Sequence, residues 1–197
     1  MRENNYGFGL KRLMRQRGLA ALEFSYVAVI FFTLLFGIIE VARAFYICNT
    51  LQEVTRRAAA AAATTDFTDL AALHQIRRDA VFRETDGPLP FAPNITHENI
   101  RIDYLAILRS SDALTMQPVD LPAATPALNR LECMRDPNSN GCIRLVRVRI
   151  CAPGAGASCQ PVPFVLLLPL VKLAFNLPTS TTVRVSESLG YAPGARP

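Results

Sequence analysis

A chain of 197 residues has room for one ordinary globular domain and an appended segment, and no room for two large domains. Half of the residues are apolar, which places a concentrated greasy stretch inside an otherwise ordinary composition. The net charge of +5 argues against a nucleic-acid role once its placement is read. Residues 1–18 carry Arg2, Lys11, Arg12, Arg15 and Arg17 against Glu3, so only +1 is left for all the rest.

The greasy stretch comes early. Residues 24–39 read FSYVAVIFFTLLFGII without a charge, and extending back to Leu19 adds only Glu23. A bilayer span takes about 20 residues. The basic stretch ahead of it marks the cytoplasmic end. The expected topology is a cytoplasmic N-terminus, one span over about residues 20–39, and everything after Ile39 outside the inner membrane. Glu23 is the odd residue, because a carboxylate in an apolar helix costs free energy unless it is paired or near water. A position in the first turn of a helix would supply about 0.3–1 kcal/mol from the dipole without any partner. Glu40 and Arg43 close the span three residues apart, which predicts a pair facing one another at the outer interface and contributing about 0.5 kcal/mol.

The helical pattern continues with Ala44, Ile47, Leu51, Val54 and Ala58 at spacings of three and four, and Ala58 to Ala63 extend it with the strongest helix former. One helix over 19–63 is predicted, about 70 Å long at 1.5 Å per residue. Its narrow apolar stripe is expected to lie on the globular domain or on sister helices.

Residues 66–85, DFTDLAALHQIRRDAVFRET, read as a second helix with Asp or Thr available as its cap, ended by Gly87, Pro88, Pro90 and Pro93. Period-two alternation at 100–108, 143–150 and 181–189 predicts three strands of an antiparallel sheet. The proline-bearing stretch 110–130 is expected to be a long surface connection. Residues 162–177, VPFVLLLPLVKLAFNL, are too short and too interrupted by Pro163, Pro169 and Lys172 for a second span, and are expected to pack in the core. The fold class is therefore α+β: a long N-terminal transmembrane helix, then a small domain with an antiparallel sheet.

Four of the five cysteines, Cys133, Cys142, Cys151 and Cys159, fall in the part expected to face an oxidising compartment, which predicts disulfides. Cys142 and Cys151 bracket a strand that would hold them about 30 Å apart, far beyond the roughly 7 Å reach of a bridge. The preferred pairs are Cys133 with Cys142 and Cys151 with Cys159, leaving Cys48 unpaired. The spacings contain no Cys-x2-Cys knuckle, so no metal site is expected. His74 and His97 read as ordinary surface residues, and no phosphate loop, nucleophile elbow or metal-binding histidine spacing is present. No catalytic residue and no cofactor are expected, and the chain reads as a protein that is not an enzyme.

The junction RGLAALEF at 17–24, and the wider run from Arg17 to Ala63 with its Glu40-x-x-Arg43 pair, resemble the TadE-like minor pseudopilins of tight-adherence (Flp, type IVc) pilus systems. That resemblance implies a pilin-like lollipop: a basic leader over 1–18, the helix over 19–63 and a periplasmic α+β domain over 64–197. It implies cleavage by a prepilin peptidase between Gly18 and Leu19, with glycine giving the backbone access to the protease in an extended form. Glu23, fifth in the mature chain, would set assembly register together with Phe24 by meeting the free amino terminus of a neighbouring subunit. The implied partners are the inner membrane, the peptidase, companion minor pseudopilins, the major Flp pilin and the assembly platform. Many relatives carry a proline early in the span, where this chain has Val29 and Ile30. Two other readings use the same segment: an uncleaved single-pass anchor for a periplasmic binding domain, and a secreted protein released after Ala42-Arg43-Ala44 by signal peptidase.

Overall fold

The computed structural model describes residues 9–109, 113–119, 125–154, 158–167 and 175–191, with side chains from Leu19 onward. Its first element, α1 (Gly9–Ala62), begins ten residues before the expected start. The reason is local: residues 10–17, LKRLMRQR, are all good helix formers, so the helix propagates backward through Gly18, which costs only about 1 kcal/mol.

The chain divides into two units, one comprising Met1–Arg43 with Leu166–Leu173 and the other Ala44–Val165 with Ala174–Pro197. Within the first, the described residues are the apolar half of α1 and the short segment at Leu166 and Leu167.

The second unit is a four-stranded antiparallel sheet with helices. Its strands are β3 (Ile100–Arg109), β4 (Leu114–Pro118), β5 (Leu145–Ile150) and β6 (Thr181–Val185), in the order β4-β3-β5-β6. A two-stranded ribbon, β1 (Pro88–Leu89) with β2 (Ala92–Thr96), precedes them. Opposed residues share a face of the sheet. Ile100 faces Ile150, Ile102 faces Val148 and Tyr104 faces Val146, and all of these but the half-covered Ile102 are buried on one side. Thr182, opposite Val148 on that side, meets the hydroxyl of Thr55 on α1 at 2.9 Å. From α1 the stripe Ile47, Leu51, Val54, Ala58, Ala59 and Ala62 is 0–1% exposed. Alanine matters in this stripe because its short side chain lets a helix backbone approach closely.

The second helix, α2 (Leu70–Ala80), is shorter than expected. Asp69 caps it, its Oδ1 accepting from the N–H groups of Ala71 and Ala72, and the backbone leaves helical geometry after Ala80, reaching φ 60 at Phe82. The expectation of an irregular 110–130 is corrected: β4 is an edge strand there, and α3 (Pro126–Arg135) follows. Thr125 caps α3 through its Oγ1, and Pro126 occupies the first turn, where its missing N–H costs nothing. Gly190 is held at φ +79, and a Cβ added there would lie 2.5 Å from the backbone nitrogen of Asp66.

The segment 162–177 is mixed rather than wholly core. Val162, Phe164 and Leu177 are buried, Val165 and Phe175 are exposed, and Phe164 stacks on Phe175 at 4.5 Å. Residues 168–174 of that stretch lie outside the described residues.

Candidate functional site: the apolar helix and its buried ion pair

From Leu19 to Ile39 nearly every side chain of α1 is open. Phe24 is 74% exposed, and of the most apolar eighteen-residue window of the helix only 6% is buried. This helix is long and apolar enough to cross a membrane. Its few polar side chains are compatible with hydrocarbon, because Ser25 Oγ donates to the Leu22 carbonyl and Thr33 Oγ1 to the Val29 carbonyl, each at 2.7 Å. Glu23 lies on the same open surface, one residue before Phe24. Gly18 and Leu19 are continuous α-helix, so the extended form expected at that bond is not the form the backbone takes.

The Glu40 and Arg43 pair departs from expectation. Both are 8% exposed, where the spacing predicted an ordinary surface pair. Arg43 Nε donates to Glu40 Oε2 at 3.1 Å, with a second guanidinium nitrogen 3.0 Å from the same oxygen. The other carboxylate oxygen, Oε1, accepts from the backbone N–H of Leu167 at 2.8 Å. A carboxylate placed out of water needs this arrangement, since charge-assisted bonds must offset its desolvation. Leu167 was missed by sequence reasoning, and no signal within the sequence could have found it: the donor is a backbone group 127 positions from its acceptor.

In the second unit Cys133 is bonded to Cys142 and Cys151 to Cys159, each pair with α-carbons 4.9 Å apart. Cys48 is a half-buried free thiol on α1. On the sheet face opposite the core, Asp103 gathers Arg101, Arg147 and Arg149 at 2.7–3.2 Å. Burial pushes this carboxyl up, but the bonds from Arg101 and Arg149 outweigh it and hold it below the ordinary value. The reading of His97 as a surface residue is corrected, because it is buried against the half-exposed His74 with ring centroids 4.7 Å apart. Among the described residues, His74, Asp86 and His97 form a group that could hold a metal. Two described cavities, of about 210 and 280 Å³, are lined chiefly by α3 with the chain after β6, and by residues 98–101 with 151–154.

Among the described residues, fold and site define a protein with one helix of bilayer length and an α+β domain built on an antiparallel sheet. Residues 18–60 match the family model described as TadE-like protein. No curated protein and no solved structure matches the chain.

Proposed function

We propose that this chain is a minor pseudopilin-like structural subunit that serves assembly of a tight-adherence (Flp) pilus or a related secretion filament. The observation that carries the reading is the coincidence, within residues 18–60, of the TadE-like match, the glycine and glutamate of a prepilin junction and an open apolar surface. In this reading prepilin peptidase cuts between Gly18 and Leu19 on the cytoplasmic side. The helix stays in the inner membrane with the α+β domain in the periplasm, and Glu23 with Phe24 sets register against companion pseudopilins and the major pilin. The open side chains of residues 19–39 support it, since they offer a greasy surface first to lipid and then to sister helices. Its role is structural and not enzymatic.

The test is the mature N-terminus, read by mass spectrometry of protein from its native membrane. A start at Leu19 is expected. A start at Phe45, or an intact leader in cells with active peptidase, would overturn the reading. Glu23→Gln is expected to leave membrane insertion intact and to reduce co-purification with companion pilins several-fold, and unchanged co-purification would mean that Glu23 does not set register.

A further inference from the structure

Both histidines of the chain meet one carboxylate. His74 sits on α2, Asp86 in the connection that follows it, and His97 opens a 3-10 turn (His97–Asn99) between β2 and β3. One ligand atom from each lies within 4.8 Å of the others. His97 Nε2 stands 3.8 Å from Asp86 Oδ1, too far for a hydrogen bond. A tetrahedral divalent ion with bonds of about 2.0–2.2 Å spaces its ligand atoms about 3.3–3.5 Å apart, close to that gap. Asp86, whose side chain is 64% exposed, can move toward an ion without disturbing the core.

The burial of His97 distinguishes this group from an exposed polar cluster. His97 is 9% exposed, and its Nδ1 is buried without a hydrogen-bond partner among the described residues. A buried imidazole nitrogen left unpaired is costly, and native proteins keep few such groups. Nε2, on the far side of the ring from the backbone, is the nitrogen that faces Asp86 and would serve as ligand. Arg78 also lies 3.7 Å from Asp86 Oδ1, and its guanidinium is itself held by the side-chain oxygen of Gln75.

We infer that His74, Asp86 and His97 form a binding site for a divalent transition ion, with Zn²⁺ the best fit to two imidazoles and a carboxylate. Neutral imidazole suits zinc, cobalt, nickel and copper, and a single carboxylate offers too few oxygens for calcium or magnesium. The bound ion joins α2, the loop after it and the turn before β3, a stretch of chain that carries only the short β1-β2 ribbon between its ends. Three protein ligands leave a fourth position for water.

The test uses the full chain in detergent after chelator treatment, titrated with Co²⁺ as a visible probe and then with Zn²⁺. A d–d band that saturates at one equivalent and is bleached by Zn²⁺ is expected, with a higher unfolding temperature in the metal-bound form. Asp86→Asn and His74→Gln should each weaken Co²⁺ binding at least about tenfold while leaving the far-ultraviolet circular dichroism unchanged. Glu84→Gln, on an exposed neighbour, should leave binding as it was. Absence of a saturable band, wild-type binding by both ligand variants, or equal weakening by Glu84→Gln would each overturn the inference. None of these outcomes bears on whether the chain starts at Leu19, so failure of the metal site and failure of the pilus reading are separate results.

Discussion

Replacing Asp103 by asparagine removes one charge from the middle of the sheet while keeping the shape of the side chain. The carboxylate is 9% exposed and receives Arg101 Nε at 2.8 Å, Arg149 at 2.7 and 3.1 Å, and Arg147 at 3.1 and 3.2 Å. Removing one member of a fully buried ion pair costs about 3–5 kcal/mol, and an exposed pair contributes about 0.2–1 kcal/mol. The three arginine side chains are 18–34% exposed, so water screens and resolvates them after the change. An intermediate loss of about 2 kcal/mol follows for Asp103→Asn at neutral pH. The pH dependence has a definite sign. The folded state holds this carboxyl below its ordinary value of 3.8, so the unfolded chain takes up the proton first as acid is added. The stabilisation is complete above that ordinary value and disappears as pH falls through the lower folded one. Urea unfolding of the full chain in detergent, followed by circular dichroism from pH 7 to pH 2, should show a gap between wild type and variant that closes in acid. Equal midpoints at pH 7, or a gap that persists undiminished at the acid end, would refute the reasoning.

Leu51→Ala, at a side chain 0% exposed on the buried stripe of α1, should cost about 2.7–5 kcal/mol through lost burial and a residual cavity, read as a lower urea midpoint. Gly190→Ala combines a left-handed backbone with a methyl 2.5 Å from the Asp66 nitrogen, and a loss of about 1–3 kcal/mol should appear in thermal melts. Tyr104 has a buried hydroxyl without a partner among the described residues, and burial pushes its titration up to about 12. Stability from keeping it neutral is complete below pH 10 and is lost between about 10 and 12. Tyr104→Phe should therefore stay within about 1 kcal/mol of wild type at pH 7 and lack this alkaline decline.

What could be read ahead of the structure was whatever has a period or a local signal. The apolar run, the three-and-four stripe from Ile47 to Ala58 and the alternation through 100–108, 143–150 and 181–189 each placed an element, because burial on one face imposes its period on the sequence. The α+β class followed from these. β4 escaped because all five of its residues are exposed, so no buried face imposed alternation, and its edge position tolerates Pro118 at the end. α3 escaped although Thr125-Pro126 is a readable helix start, since the prolines before it drew the whole stretch into one irregular connection. The site divides in the same way. Glu40 and Arg43 were found from their spacing, whereas their burial depends on Leu167, a contact that no window of sequence contains. The meeting of His74 with His97 is likewise a product of the fold.

The run from Ala58 to Ala63 is the least informative stretch of the chain by composition, six copies of one letter that any filter for biased sequence would discard. Position by position it is nothing of the kind. Ala58, Ala59, Ala62 and Ala63 are 0–1% exposed, while Ala60 and Ala61 are only half covered. Added methylenes at the first four have no space to enter, and overpacking a filled core costs about 1–3 kcal/mol. Two neighbouring positions in the same monotonous string would accept larger side chains. Identical letters thus carry unequal mutational tolerance, and a substitution map of this alanine run should show a helical rhythm that its own letters do not display.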